Sequence, residues 1–205
     1  MESISYITCT NNFEILDNCL LKSIKFDWED EIIVIESPKS IAEGYNTAID
    51  HAKHQIKCFI HHDIIITNPE MLRKNIMSYC TQDVGIVGVI GSKQETIPWW
   101  NDGDIGSVVD TRMGIIWFDE GKNYCKTLDG IVLATCQDVR FDESIPGFHL
   151  YDQDICKQMT NQGLQNFCMG NGYRMLTHFT SGTVMTDQIN GYNEALDVYR
   201  KKWSC

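Results

Sequence analysis

No stretch of the 205-residue chain approaches the about 20 consecutive apolar residues that a membrane-spanning helix requires. The opening Met1-Glu2-Ser3-Ile4 lacks a basic n-region, which predicts no signal peptide. Basic residues are few: 17 Lys and Arg stand against 28 Asp and Glu, for a net charge of −11. Nucleic-acid binders carry a basic face, so no nucleic-acid partner is expected. A small anionic ligand stays open wherever a metal or a helix N-terminus neutralises it locally. There are nine cysteines but no Cys-x-x-Cys pair, which weighs against a zinc or thioredoxin-like site. Cys9, Cys58 and Cys136 fall inside apolar, strand-like runs, so buried free thiols in a cytoplasmic protein are the simpler account. Repeats, linkers and low-complexity tracts are also missing. With 43% hydrophobic and 22% charged residues, a single globular domain over 1–205 is expected.

What is present is organised around residues 58–67, where Cys58-Phe59-Ile60 leads into His61-His62-Asp63 and then Ile64-Ile65-Ile66. A short apolar, β-branched run reads as a buried strand, and ligands of open α/β sheets bind beyond the carboxyl ends of the strands. From these ten residues alone, a site at a strand end and a solvated loop remain equally open. On either side, strand and helix alternate. A strand is expected over 4–10, followed by a helix capped by Asn11 with Glu14 as its reciprocal partner and Phe13, Leu16, Leu20 and Ile24 as its apolar face. A second strand at 32–35 precedes a helix opened by Ser40 and Glu43 and running to Ala52. After the third strand, Asn68-Pro69 is an N-cap followed by proline at the first helical position. A fourth strand is expected at 84–90.

This alternation predicts parallel strands with right-handed crossovers. From 91 to 121 the chain turns Gly- and Asp-rich, with Trp99-Trp100 exposed in a loop-like context. Short strands at 114–118, 124–127 and 130–135 suggest an antiparallel extension. A helix over 150–162 ends at Gly163; short strands at 164–169 and 175–179 and a helix over 190–203 complete the chain. The expected class is α/β, a Rossmann-like mixed central sheet flanked by helices, with 1–91 as a nucleotide-binding half and 92–205 as an acceptor and catalytic half.

Four patches carry more polar function than a scaffold needs. Thr8-Cys9-Thr10 and Glu36-Ser37 follow strands one and two, where they are placed to hold a base and ribose or merely to cap and turn. Gly44-Tyr45-Asn46 lies early in the second helix, with Tyr45 a core or a ligand residue. Asp129-Gly130 opens a strand, as a plain turn would. Phe148-His149-Leu150-Tyr151-Asp152-Gln153-Asp154 starts a helix, whose dipole alone favours acids there. Asp152 and Asp154 are two apart and point away from each other, so at most one does chemistry.

In this order, these patches resemble the family-two-like glycosyltransferases of the GT-A fold, in the bacterial subgroup with His-x-Asp in place of Asp-x-Asp. The matching residues are the strand ending at Thr10, Ala42 to Ala48, His61-His62-Asp63, residues 85–91, Trp99-Trp100, Asp129-Gly130, residues 148–154 and His178. The resemblance implies an inverting transferase moving a sugar from a nucleotide-diphosphate donor, expected to be a UDP-sugar, to a glycan or lipid-linked hydroxyl acceptor in surface-polysaccharide synthesis. It places Asp63 and His61 on a divalent metal, and His178, before Thr180-Ser181-Gly182, is added as a third ligand. Imidazole participation favours Mn²⁺ over Mg²⁺.

Thr8, Thr10, Glu36, Tyr45, Asn46, His61 and His62 are assigned to the donor. Trp99, Trp100, Asp129, Gly130 and His149 are assigned to the acceptor or sugar. Asp152 matches the general base, and Tyr151 stands where the resemblance expects glutamate. The setting expected is cytoplasmic or peripheral at the inner face of the membrane, with a protein partner or self-association completing the acceptor side. Two other classes compete. A non-catalytic nucleotide-sugar or carbohydrate-binding relative would keep the fold without turnover. A nucleotidyltransferase would place a glycine-rich loop after strand one, where Cys9-Thr10-Asn11-Asn12 has none.

Overall fold

The computed structural model describes residues 3–26, 29–95, 104–118, 123–180 and 187–204. It is a mixed α/β structure in which helices flank a mainly parallel sheet and a second sheet packs beside it. The first strand, β1 (Ile4–Thr10), is buried along its whole length because both faces of its sheet are covered. It is followed by α1 (Phe13–Leu16), which runs into a π-helical turn, Asp17–Leu21, and then by β2 (Glu31–Glu36). Next come α2 (Ile41–Ile49), β3 (Ile56–Ile60), β4 (Ile64–Ile66), α3 (Pro69–Tyr79), β5 (Val84–Gly88), β6 (Ile90–Ser92) and β7 (Asp104–Asp110). The short strands β8 (Gly114–Trp117), β9 (Asn123–Cys125), β10 (Thr127–Leu128) and β11 (Val132–Thr135) precede α4 (Tyr151–Asn161). The chain closes with β12 (Gln165–Cys168), a 3₁₀ turn at Gly172–Arg174, β13 (Leu176–His178) and α5 (Asp187–Trp203).

The larger sheet has the order β2-β1-β3-β11-β5-β12-β9. Its β2, β1 and β3 are parallel neighbours, as are β5 and β12. The expected antiparallel extension lies partly within this sheet: β11 runs antiparallel between β3 and β5, at its centre. Side chains alternate across the pleat. Ile4 and Tyr6 join Leu16 and Leu20 of the first helical segment and Leu72 and Ile76 of α3 on one face. Ile7 and Cys9 join Ala42, Tyr45 and Ala48 of α2 and Ile155 and Met159 of α4 on the other.

The second sheet, β10-β6-β7-β13-β4 with β8 beside β7, explains where the strand expectations go astray. Runs expected as single strands at 58–67, 84–90 and 124–127 are each cut in two, one piece in each sheet. An apolar run stays apolar through such a switch because both sheets are buried, so periodicity alone misses it. The Gly- and Asp-rich stretch, where no strand was expected before 114, contains β7, whose Gly106 has φ +92 and sits against the β5–β6 junction. The N-cap of α1 is Asn12, whose side chain accepts from the Glu14 and Ile15 amides, rather than Asn11. The α2 cap is Ser40, as expected, although Glu43 accepts from the Lys39 amide instead of returning to Ser40.

A Cβ at position 106 would lie 2.2 Å from the Val89 carbonyl oxygen and 2.8 Å from Cys168 Sγ. Positive φ alone costs an L-residue about 1–2 kcal/mol, and the overlap adds to it. Gly106→Ala is therefore expected to lower unfolding free energy in urea by about 2 kcal/mol or more; stability equal to the parent chain would contradict this geometry.

Candidate functional site

Parallel β1, β2 and β3 end at one edge, where Thr10 pairs in register with Glu36. Between Ile60 and Ile64 the chain crosses from the large sheet to the small one, and His61-His62-Asp63 makes the crossing. Both flanks of this tripeptide are held by backbone bonds: the His61 amide donates to the Ile131 carbonyl (3.1 Å) and the Phe179 amide to the Asp63 carbonyl (2.8 Å). The antiparallel pairing of β13 with β4 sets His178 opposite Ile64. His178 Nε2 then lies 3.4 Å from Asp63 Oδ2. Ligand atoms of His61, Asp63 and His178 all fall within 4.8 Å of one another.

These residues fit a divalent metal on two counts beyond their type. Asp63 Oδ1 is buried without a hydrogen-bond partner among the described residues, an orphaned anionic oxygen of the kind a cation satisfies. Each imidazole also has one ring nitrogen already engaged: His61 Nε2 with the Tyr151 hydroxyl (2.6 Å), His178 Nδ1 with Asp110 Oδ2 (3.0 Å). That leaves the other nitrogen of each ring for a ligand, an arrangement common among metal-binding histidines. Burial would raise the Asp63 carboxyl, but its interaction with His178 and the neighbouring His61 and His62 hold it below the ordinary value. Burial lowers His61 against the pull of Asp63 and Asp129. At His178 burial is outweighed by Asp63, Asp129 and Asp110, and the ring sits above its usual value.

Asp129 and Asp152 approach the same edge from another direction. Asp129 Oδ1 accepts from the Ile131 amide (2.9 Å), and Asp152 Oδ2 accepts from the Gly130 amide (3.0 Å) while its Oδ1 accepts from Gln153 (2.8 Å). Burial raises Asp129, and burial together with the Asp129 charge pushes Asp152 up to about 7. The Gly130 backbone approaches the Tyr151 ring so closely that an added Cβ would lie 1.9 Å from the hydroxyl. Close packing therefore accounts for glycine here, alongside the sugar contact expected of it. Leu150, which opens α4, is left-handed (φ +61), an uncommon conformation for a leucine.

Other expected site residues are placed differently. Thr8 and Tyr45, expected at the donor, are fully buried at 0% exposure. Tyr45 packs in an aromatic cluster with Phe59, Phe141 and Tyr151. The Asn46 amide is spent on the Phe141 backbone and on Glu143, so it pins that loop to α2 instead of reaching outward. Thr10 Oγ1 meets His62 Nδ1 at 2.6 Å, and Glu36 is exposed at the rim. His149 packs edge-on against Tyr192. Trp99 and Trp100, with Ser181 and Gly182, lie outside the described residues.

Asp154, at 1% exposure, is consumed by Lys202, Trp203 and Gln158 and ties α5 to α4. Sequence reasoning missed Asp110. It lies in the Gly- and Asp-rich stretch where no strand was expected, and its only signal was an Asp shortly before a glycine, at 110 and 114.

A chain with this sheet order, and with its polar cluster at the carboxyl ends of the parallel strands, has the GT-A glycosyltransferase fold. The sequence model described as "Glycosyltransferase like family" matches residues 5–199, and the chain belongs to that family. S. aureus TarS 1–349 in complex with UDP-GlcNAc is similar at a TM-score of 0.63 and 11% identity, over 98% of this chain and 65% of that one. Mannosyltransferase PcManGT from Pyrobaculum calidifontis, in complex with GDP-Man and Mn²⁺, is similar at 0.56 and 11% identity, over 86% of this chain and 56% of that one. A197 from STIV is similar at 0.52 and 11% identity, over 88% and 87%. The chain thus spans less than two thirds of the TarS and PcManGT chains. Comparison with curated protein sequences gives no match.

Asp154 sits beside Asp152 in sequence but serves α5, and this division is open to test. Removing one partner of a buried ion pair costs about 3–5 kcal/mol. Asp154→Ala is expected to lose stability of that order in chemical denaturation, while Asp152→Ala is expected to lose much less. The reverse ranking would show that the two acids have been assigned to the wrong tasks.

Proposed function

We propose that the chain is a metal-dependent, inverting glycosyltransferase that moves a sugar from a nucleotide-diphosphate donor to a hydroxyl acceptor. One observation carries the proposal. The donor set His61, Asp63 and His178 shares one sheet edge with Asp152, a carboxyl whose proton affinity lies near neutrality. Asp63, His61 and His178 would hold the cation, and two imidazoles among the three donors would favour Mn²⁺ over Mg²⁺. When bound, the cation neutralises charge that builds on the departing diphosphate.

Asp152 takes the proton of the acceptor hydroxyl. A carboxylate at the ordinary value of about 4 is a weak base at neutral pH, and displacement toward neutrality improves the match. The Gly130 amide fixes the orientation of its Oδ2. Glu36 and His62 at the ends of the first strands face the nucleotide, in keeping with ligand placement in such sheets, with the buried Thr10 hydroxyl holding His62 Nδ1 from behind. The donor proposed is a UDP-sugar, the kind of compound the TarS complex contains, whereas PcManGT carries GDP-Man. The acceptor proposed is a glycan or lipid-linked hydroxyl near Asp129, Gly130 and His149, in surface-polysaccharide synthesis at the cytoplasmic side. A protein partner or a second copy is proposed to complete that side. No helix among the described residues is long and apolar enough to cross a membrane.

Asp63→Ala is expected to abolish Mn²⁺-dependent binding of nucleoside diphosphates, measured by calorimetry, with circular dichroism unchanged; undiminished Mn²⁺-dependent affinity would remove Asp63 from the metal.

The base prediction is read from rates. Asp152 accepts a proton only when ionised, so transfer should rise with pH through about 7 and level above it. Asp152→Asn is expected to lower transfer by about 10²–10⁴-fold and to erase that rise. A variant with the parent's rate and pH profile would leave the base elsewhere.

A further inference from the structure

Asp110 has so far appeared only as the partner of His178 Nδ1, yet both oxygens of its carboxylate are engaged. It ends β7, whose parallel pairing with β13 makes Asp110 the direct register partner of His178. The Thr111 amide donates to the His178 carbonyl (3.0 Å), so the two strands are fixed to each other where their side chains meet. The two oxygens of the buried Asp110 carboxylate are divided between two tasks. Oδ1 accepts from the Arg112 (2.9 Å) and Met113 (2.8 Å) amides and caps the turn into β8. Oδ2 faces His178 Nδ1 at 3.0 Å and also accepts from the Thr180 hydroxyl.

We propose that Asp110 is a positioning residue for the metal site: its Oδ2 keeps the His178 proton on Nδ1, so that Nε2 presents a lone pair toward Asp63. The inference rests on the proposed reading of His61, Asp63 and His178 as metal ligands. An ionised carboxylate only accepts hydrogen bonds, so the imidazole nitrogen facing it must carry the proton. In a neutral ring the other nitrogen is then unprotonated, the form a metal requires. Nε2 is the atom 3.4 Å from Asp63 Oδ2. Carboxylates that act through a ligating histidine in this way are typically worth about 10–100-fold in metal affinity.

A residue that only capped the turn would show the same Oδ1 bonds, and Asp110→Asn separates the two roles. The amide oxygen must stay with the two backbone donors, because the amino group cannot accept from them. The amino group therefore takes the place of Oδ2 and donates to His178 Nδ1. That drives the ring proton onto Nε2 and turns a donor toward Asp63. The cap survives and the ligand is lost.

The test is Mn²⁺ titration of the full chain, alone and with UDP, with free Mn²⁺ followed by electron paramagnetic resonance. It compares the parent with Asp63→Ala, Asp110→Asn, His178→Ala and the Asp110→Asn/His178→Ala double variant. Asp110→Asn is expected to weaken Mn²⁺ binding about 10–100-fold, with the metal-free melting temperature close to the parent's. The double variant should bind no more weakly than His178→Ala alone. Nitrogen-15 spectra of the metal-free parent should show neutral His178 protonated on Nδ1, and those of Asp110→Asn should show it on Nε2.

Parental affinity in Asp110→Asn, additive losses in the double variant, or an Nε2–H tautomer in the parent each overturn the inference and leave the metal reading standing. The tautomer is read on the parent, so it decides the matter even where a variant fails to fold. A parent that binds no Mn²⁺ under either condition, or binds it no better than Asp63→Ala, overturns the metal reading and the inference together.

Discussion

The site depends on a change of sheet. At Ile60 the chain leaves the large sheet and at Ile64 it enters the small one, and the His61-His62-Asp63 crossing between them is clamped by a backbone bond at each end. Three residues give little conformational freedom once both ends are fixed, so their side chains are aimed by the two sheets jointly. Everything else at the edge is brought to this crossing by pairing. β11 abuts β3, and the turn before it places Asp129 and Gly130. β13 reaches β4 from the far end of the chain and delivers His178. β7 stands behind β13 with Asp110. Strands are stiff and their register is set by burial of alternate residues, which gives a site on strand ends a precision that loops lack.

Concentrating acids at such an edge is costly unless their charges are divided among different partners. Asp63 is surrounded by His61, His62 and His178 and stays ionised despite its burial. Asp129 lies deeper, and burial dominates there and raises it. Asp152 receives backbone amides from Gly130 and Gln153, yet burial and the nearby Asp129 still carry it to about 7. Carboxyls in one cleft thus differ by environment alone, one suited to remain an anion and another to exchange a proton near neutrality. Separation of pKa values within a cluster is how acid–base roles are commonly assigned in active sites.

Much of this was legible in the sequence because local signals and tertiary structure agree. The alternation of apolar runs with capped amphipathic stretches gave the parallel half, and Asn68-Pro69 and Ser40 start α3 and α2 where the capping rules place them. His61, Asp63 and His178 meet as expected from their positions at strand ends. What escaped reading was non-local. No property of Val84 to Ser92 says that Gly88 and Ile90 belong to different sheets. β7 was hidden because Gly106 and its flanking acids look like loop, although the glycine is there so that β7 can press against the Val89 carbonyl. Missing that strand meant missing Asp110. The surroundings of Tyr45 and Asn46 were illegible for a related reason. Polar atoms on a helix facing the sheet look available in sequence, but one side chain is enclosed by aromatic rings and the other is held by a distant loop.

The tyrosine at 151, where the resemblance expects glutamate, follows from the same electrostatic limits. Its ring completes the cluster formed by Tyr45, Phe59 and Phe141, and its hydroxyl reaches His61 Nε2. A carboxylate in that position would be enclosed by aromatic carbon with Asp129 and Asp152 nearby. Burial and like-charge repulsion would then both oppose its ionisation. A hydroxyl engages the same imidazole nitrogen without adding charge. The substitution carries a steric condition: the phenol occupies the place where a Cβ at position 130 would be, so Tyr151 requires glycine there. The Gly130 amide in turn holds Asp152 Oδ2. A single neutral side chain therefore couples the orientation of His61 to that of Asp152 through one glycine, which links the two halves of the site by packing instead of by charge.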